Sequence, residues 1–201
     1  MGRSVPTSPK PRTRPAVERR AALLDAAEQL FVLHGMAATT VEQITTAAGV
    51  AKGSFYLHFA SKEDVLDGLR QRFVETILTA IDSAVAQQPT DDWGARLGVW
   101  ATACATGYAV SARLHQMLFS DVPPPTRDGL ADNPLIDDLT RLLHDGGAAG
   151  AWHVADPRFT AVFLFNALHG VILDAGDRID EEAFAQAVRA HCRLLVGLPT
   201  E

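Results

Sequence analysis

The chain has 201 residues, a formal net charge of −6 and 47% apolar residues. This length allows one sizeable core or two smaller ones, and no apolar run reaches the roughly 18–20 residues that span a membrane. The N-terminus lacks the apolar segment of a secretory signal. The two cysteines, Cys104 and Cys192, favour buried thiols in a reducing cytoplasm over a disulfide framework.

The charge is unevenly distributed along the chain. Residues 1–62 contain eight Lys or Arg and four acidic residues, a local charge of +4, whereas the rest contains ten basic and twenty acidic residues, a charge of −10. This asymmetry would turn the N-terminal part toward a polyanion. Residues 1–15, with four prolines and four Lys or Arg, predict a disordered basic arm. Two roles of this arm stay open: it contacts a DNA minor groove, or it is an inert extension.

Residues 19–59 predict three short helices. The first helix ends at Gly35. Its apolar stripe consists of Leu23, Leu24, Ala27, Leu30, Phe31 and His34. The second begins at Thr39-Thr40, and Glu42 and Gln43 each follow one threonine by three residues, a doubled capping box. Gly49 ends it, and a third helix is predicted from about Ala51 to Leu57. This order is typical of a helix-turn-helix.

The third predicted helix combines a glycine with polar side chains. Gly53 would let the backbone approach a phosphate or a base edge closely, and lysine, serine and tyrosine are common phosphate donors. The polar positions are Lys52, Ser54, Tyr56 and His58, while Phe55 and Phe59 can anchor the helix to the core. In the structural alternative, Tyr56 covers the core and Gly53 eases a tight helix start.

These residues resemble the N-terminal signature of TetR-family transcriptional regulators. The matching positions are Thr39-Thr40-Val41, Ile44, Ala48-Gly49-Val50, Gly53, Tyr56, His58-Phe59 and Lys62. The motif covers roughly residues 19–66, and the remainder agrees by length and helical layout. The resemblance implies an all-helical homodimer, without a cofactor, that binds a double-stranded DNA operator through its third helix. It also implies release of the operator when a small molecule enters the C-terminal domain.

The resemblance also implies residue roles by position. Thr40, Tyr56, His58 and Lys62 would contact phosphates, and Lys52, Gly53, Ser54 and Phe55 would face base edges or methyl groups. Two positions depart from the family pattern. Thr45 replaces a usual small alanine, which could change the packing of the second and third helices, and Ala51 replaces a frequent serine.

The rest of the chain predicts further helices and no strand. A long fourth helix from Ser61 toward Pro89 suits a strut between two modules. Later helices are expected at about 92–109, 112–119, 134–144, 157–175 and 181–196, with breaks at Pro123–Pro125, at Gly146-Gly147 with Gly150, and at Gly176. The predicted all-α organisation is an arm (1–15), a helix-turn-helix domain (16–62) and a helical effector-binding and dimerisation domain (63–201).

The helix expected from Pro157 is apolar on nearly every side. In a chain of this size such a helix must be covered all round, which predicts a homodimer in which it pairs with the last helix in an intermolecular four-helix bundle. A central helix of a monomeric bundle is the alternative.

The effector site is predicted less sharply. Seven residues are expected to line an apolar pocket with a few polar groups: Trp100, Cys104, Tyr108, Phe119, Phe163, Asn166 and His169. A wider group adds Trp93, His115, Met117 and Trp152. Each could equally be an ordinary core residue.

Taken together, these patterns favour a ligand-responsive repressor over an enzyme. No nucleophile elbow, phosphate-binding loop or paired metal-ligand motif occurs. An effector-independent DNA-binding dimer stays open, as does a metal sensor using His144, Asp145, His153, Asp156 or His169.

Overall fold

A computed structural model describes residues 15–119, 133–175 and 181–199. Over these ranges the chain forms nine α-helices and no strand, so the predicted all-α class is confirmed. The helices are α1 (Ala16–His34), α2 (Val41–Ala48), α3 (Lys52–Phe55), α4 (Lys62–Val85), α5 (Trp93–Val110), α6 (Ala112–Phe119), α7 (Pro134–Ala148), α8 (Pro157–Ala175) and α9 (Glu181–Leu195). The predicted arm up to residue 14, the Pro123–Pro125 break and the Gly176 break lie outside the described residues.

The chain divides into two compact units, Met1–Gly68 and Leu69–Glu201. The division falls inside α4, six residues beyond the predicted boundary at 62/63. No described helix is both long and apolar enough to cross a membrane.

The N-terminal unit is built around one apolar core. Helix α1 packs on α2, and α2 packs on α3. The core side chains are Leu23, Leu24, Ala27, Phe31, Ile44, Phe55, Phe59 and Val65, each at most 3% exposed. His34, predicted to lie on the apolar stripe of α1, is exposed at its C-terminal turn, because a polar ring there can reach water.

The predicted doubled capping box is wrong in one half. Thr40 is the N-cap of α2, its hydroxyl accepts from the Gln43 backbone N–H at 3.2 Å, and the Gln43 side chain accepts from the Thr40 N–H at 2.8 Å. Thr39 is buried, and its hydroxyl donates to the Gly35 carbonyl at 2.9 Å. Thr39 therefore stabilises the α1–α2 loop, and the predicted capping pair of Thr39 with Glu42 does not form.

The C-terminal unit is organised around α5. Helices α8 and α9 both pack on α5, and α8 also packs on α7. Its core contains Leu97, Trp100, Ala101, Cys104, Leu118, Leu135, Ile136, Leu139, Leu143 and Ala161. Trp100 is 1% exposed, and its indole N–H donates to the Asp138 carboxylate at 2.8 Å, which satisfies its polar edge and holds α5 to α7.

Helix α7 does not end at the glycine pair as predicted. It continues through Gly146 and Gly147 to Ala148, because the Trp152 indole lies directly on it. A Cβ at Gly146 would lie 2.2 Å from Trp152 Cζ2, and the Trp152 N–H donates to the Leu143 carbonyl at 2.8 Å. The glycine at 146 makes room for a ring and does not break the helix.

Candidate nucleic-acid interface and effector site

The turn between α2 and α3 sets the direction of the reading helix. Gly49 adopts a left-handed conformation with φ 65°, which costs glycine little. Its N–H donates to Thr46 O at 3.2 Å, and the Val50 N–H donates to Thr45 O at 3.0 Å, the paired bonds of a Schellman motif. These bonds satisfy the last carbonyls of α2 and turn the chain sharply into α3.

Both departures from the family pattern are accommodated locally. Thr45 is 3% exposed, and its hydroxyl donates to the Glu42 carbonyl at 3.1 Å, so a buried polar group is satisfied within its own helix. Ala51 is the N-cap of α3 and provides no side-chain cap. Helix α3 has four residues, shorter than predicted, and turns continue it to His58, whose N–H donates to Phe55 O at 2.9 Å.

One predicted base contact is wrong. Phe55 is 0% exposed, and its ring centroid lies 5.9 Å from that of Phe59 and 5.3 Å from that of Tyr56. The side chain points into the core and cannot meet a base in this fold. Leu57, which sequence reasoning did not single out, is 76% exposed two residues later. Leu57 lies midway between the two core anchors Phe55 and Phe59, which places it on the outward side of the segment, and that spacing is the signal by which it could have been found.

Four of the residues predicted to contact DNA, Lys52, Gly53, Ser54 and Tyr56, lie together on the outward side of the α3 segment. Lys52 and Gly53 are exposed, Tyr56 is 57% exposed and Ser54 is half-buried. A Cβ at Gly53 would meet nothing within 4 Å, and Gly53 is not among the positive-φ residues. Neither packing nor backbone conformation within the described fold therefore requires glycine here, although glycine costs roughly 0.8–1 kcal/mol against alanine in a helix.

The remaining predicted phosphate contacts differ in their surroundings. Thr40 is exposed at the start of α2. His58 is half-buried, and its Nε2 has no hydrogen-bond partner among the described residues. Lys62 donates to Met36 O at 2.8 Å and to Thr39 O at 2.7 Å, which holds the α1–α2 loop. Two of its three N–H donors are thus committed inside the protein.

A second cluster lies in the C-terminal unit, where aromatic rings surround two histidines. His115 Nε2 and His169 Nε2 are 3.2 Å apart, so one ring donates and the other accepts. The Tyr108 ring centroid lies 5.1 Å from that of His115 and 5.3 Å from that of His169. Phe73, Phe119 and Phe165 complete the aromatic cluster, with ring centroids within 6.3 Å of a neighbouring ring. Three elements, α5, α6 and α8, supply the polar rings.

The seven predicted pocket residues do not form one group. Tyr108, Phe119 and His169 meet in the aromatic cluster, whereas Trp100 and Cys104 are core residues of α5. Phe163 is 56% exposed, and Asn166 is exposed with its amide donating to the Val162 carbonyl at 2.8 Å. Phe163 and Asn166 lie on the outer side of α8, because the α8 residues that pack inward are Ala161, Leu164, Phe165, Leu168 and Ile172.

Burial controls the ionisation of this unit. It raises the pKa of the Cys104 thiol to about 12, with a further rise from Cys192, and it raises the pKa of Cys192 to about 12. Both thiols therefore stay protonated and poorly nucleophilic at neutral pH. Burial also raises the pKa of Tyr108. It lowers the pKa of His115 to about 4, aided by the His169 charge, and it lowers the pKa of His169.

We expect acidification to destabilise the C-terminal unit through His115. The unfolded imidazole takes up a proton near pH 6.5, whereas the folded one stays neutral to about pH 4. The unfolded state therefore binds more protons in this window, and stability falls as the pH falls. Between pH 7 and 5 the melting temperature should drop more for the wild type than for His115→Gln. His153→Gln, which changes an exposed histidine, should follow the wild type; equal slopes for all three would contradict the prediction.

Of the five residues proposed for a metal sensor, His144 and His153 line a common cleft, but the five are not gathered into one group of ligands. Over the described ranges, no group of three or more His, Cys, Asp or Glu side chains could hold a metal ion. His144 Nδ1 lies 3.0 Å from Asp145 Oδ1, an exposed pair.

A cleft in the C-terminal unit has a volume of about 230 Å³. It is lined by Leu143, His144, Gly147, Ala148, Trp152, His153, Val154 and Pro157, none of them among the seven predicted pocket residues.

Comparison with known proteins identifies the N-terminal unit. Residues 23–69 match the family model described as bacterial regulatory proteins of the tetR family. The HTH-type transcriptional repressor KstR2 of Rhodococcus jostii is 43% identical over 68 residues, which cover 34% of this chain and 33% of that protein. Residues 23–69 are therefore similar to the N-terminal domain of TetR-family transcriptional regulators. Proteins of that family are DNA-binding regulators and not enzymes.

Two solved structures extend the likeness beyond the TetR N-terminal domain. The fatty acid degradation regulator FadR from Bacillus halodurans is 25% identical with a TM-score of 0.69, over 94% of this chain and all of that one. A SmeT–triclosan complex is 25% identical with a TM-score of 0.65, over 88% of this chain and 90% of that one. By sequence, this chain matches only about a third of the length of curated relatives such as KstR2.

Proposed function

We propose that the chain is a TetR-family regulator, a homodimeric repressor that binds a pseudo-palindromic operator through α3 and is released by a small apolar molecule. The outward side of α3 carries the first part of this proposal. Lys52, Gly53 and Tyr56 are exposed there, and the open space at Gly53 leaves room for a partner that approaches the backbone. A DNA groove is such a partner, and the name of KstR2 as a repressor supports the direction of regulation.

The outer side of α8 supports the dimer. Phe159 is 68% exposed, Phe163 56% and Val171 52%, and they recur at helical spacing along one line. On α9, Leu194 and Leu195 are 59% and 41% exposed. Contiguous apolar side chains of this kind mark interaction surfaces. A two-fold pairing of α8 and α9 would cover them and would set two reading helices about 34–36 Å apart, one turn of DNA.

The aromatic cluster supports an effector. Neutral imidazoles at His115 and His169 can donate and accept hydrogen bonds among apolar rings, a combination suited to an apolar molecule with one polar group. SmeT, a protein of similar fold, forms a complex with triclosan, which supports a small-molecule ligand here. The cluster favours this function over an effector-independent DNA-binding dimer, since a purely structural core gains little from a histidine pair.

A path from the cluster to α4 is present within the C-terminal unit. The Arg70 guanidinium lies 5.8 Å from the Phe119 ring centroid, and its Nε donates to the Leu118 carbonyl at 2.8 Å. The Phe119 ring in turn lies 5.0 Å from the His115 ring. A ligand that displaces His115 would therefore move the end of α6 against α4, the helix that continues back to Lys62. A bacterial DNA-binding regulator would act in the cytoplasm, where the free thiols of Cys104 and Cys192 would remain reduced.

Selection of bound duplexes from a random-sequence pool tests the DNA-binding part. We expect an inverted repeat to be enriched, and Tyr56→Phe to weaken binding to every duplex by about 10-fold or more, since a hydrogen bond to a charged group contributes about 1.5–3 kcal/mol. A thermal melt should show that the variant remains folded. The absence of any enriched duplex at low salt would refute the proposal, and a change at one base pair only would refute the phosphate role of Tyr56.

A further inference from the structure

The charge near the proposed reading surface is unusual. Between residues 15 and 68 the chain has four Lys or Arg and seven Asp or Glu, so the described part of the N-terminal unit is acidic. Of its two lysines, Lys62 is half-buried and donates to two carbonyls. Lys52 is the exposed one, at the first position of α3. Charged groups close to the Lys52 ammonium should therefore have a large effect on phosphate binding.

An acidic side chain lies beside Lys52. Glu42 Oε2 is 4.0 Å from Lys52 Nζ, and the two side chains are 79% and 61% exposed. The backbone around Glu42 is fixed on both sides, because Gln43 belongs to the capping box and the Thr45 hydroxyl donates to the Glu42 carbonyl. A carboxylate in the first turn of α2 is favoured by the helix dipole. The helix dipole alone does not account for the carboxylate lying next to Lys52, at the start of α3.

We infer that Glu42 determines specificity by opposing contact between Lys52 and phosphates. A phosphate that accepts from Lys52 would lie only a few Å from the Glu42 carboxylate, and two like charges at that range repel each other. A base edge is an uncharged acceptor, so the same carboxylate penalises it much less. Non-specific binding depends on phosphate contacts alone. Glu42 therefore weakens non-specific binding more than operator binding and keeps Lys52 available for bases.

This inference rests on the proposed function, because it requires DNA at α3. The test compares the wild type, Glu42→Gln, Lys52→Gln and the double variant on two duplexes: the selected operator and a scrambled duplex of equal length and composition. Glu75→Gln, in α4 of the C-terminal unit, removes the same charge from an exposed site far along the chain and is the matched control. Affinities are measured by fluorescence anisotropy over a series of salt concentrations.

Glu42→Gln should bind the scrambled duplex about 3–10-fold more tightly at low salt, the size of one screened repulsion near a protein surface. Operator affinity should rise less than about 2-fold, and the salt dependence for the scrambled duplex should steepen by up to about 0.9 per protomer. In the Lys52→Gln background, the gain should largely vanish, since the effect acts through that ammonium. Glu75→Gln should match the wild type on both duplexes.

Three results would overturn the inference while the proposed function stands. Equal gains on both duplexes would make Glu42 a general repulsive charge, and an unchanged scrambled-duplex affinity would leave it without a role. Weaker operator binding traced to one base pair would make Glu42 a base contact itself. If the wild type binds no duplex, the proposed function fails first, and the inference fails with it.

Discussion

Phe55→Ala is expected to unfold the N-terminal unit and thereby abolish DNA binding, although the side chain is buried away from the proposed DNA-facing surface. Phe55 is 0% exposed and packs on Phe59 in the centre of the unit. Removing a buried phenylalanine costs about 3–5 kcal/mol, and a unit of this size has little stability in reserve. Hydrogen exchange should show residues 23–59 losing protection, and circular dichroism should show a loss of helix.

Leu57→Ala is the matched control for this prediction. Leu57 lies two residues further along the same segment and is 76% exposed, so its truncation should leave exchange protection and helix content unchanged. If Phe55→Ala stayed folded but lost binding to particular base pairs, Phe55 would be a base contact as the family resemblance implies. The observed burial would then not describe the DNA-bound protein.

Local signals in the sequence predicted much of the fold. The bounds of α6 (Ala112–Phe119) and α8 (Pro157–Ala175) agree with the sequence analysis. Helix α8 begins at a proline, directly after Asp156, whose carboxylate accepts from the Phe159 N–H at 2.9 Å. The Thr40–Gln43 cap and the Gly49 turn are also local, since the groups that bond lie within five residues of each other. Such features depend on short-range geometry that a sequence displays directly.

The errors arise where a contact made in the folded unit decides. Gly146 suggests a helix end until Trp152 is seen to fill the space beside it. His169 suggests a polar group in need of a partner, and that partner, His115, lies 54 positions away. For Phe55, the residue pattern indicated an anchor to the core and the family resemblance implied a base contact; its burial agrees with the first.

The outer side of α8 separates two interpretations that the sequence left together. Phe163 was predicted to line an effector pocket, while α8 as a whole was predicted to contact a partner. Its 56% exposure on the same line as Phe159 and Val171 favours the second interpretation for this residue. Under the proposed function, the effector would bind at the aromatic cluster around His115, and the dimer would form through the opposite side of the helix.

Phe163→Glu is therefore expected to split the dimer and, through it, to abolish operator binding. Complete burial of a phenylalanine side chain contributes about 1.5–3 kcal/mol; Phe163 has 56% of its surface left to bury, and two-fold symmetry places the substitution in the interface twice. The dimer should weaken by roughly 10–10³-fold, with an added penalty for the buried carboxylates. Analytical ultracentrifugation at micromolar concentration should show monomer, and each monomer retains only half of the operator contacts.

Val110→Glu provides the matched control, because Val110 is 80% exposed at the end of α5 and lies on neither α8 nor α9. This variant should remain dimeric and should bind the operator like the wild type. A dimeric Phe163→Glu protein with normal operator affinity would move the interface elsewhere. A wild type that is monomeric at the same concentration would remove the dimer itself, and with it the reason for an inverted repeat.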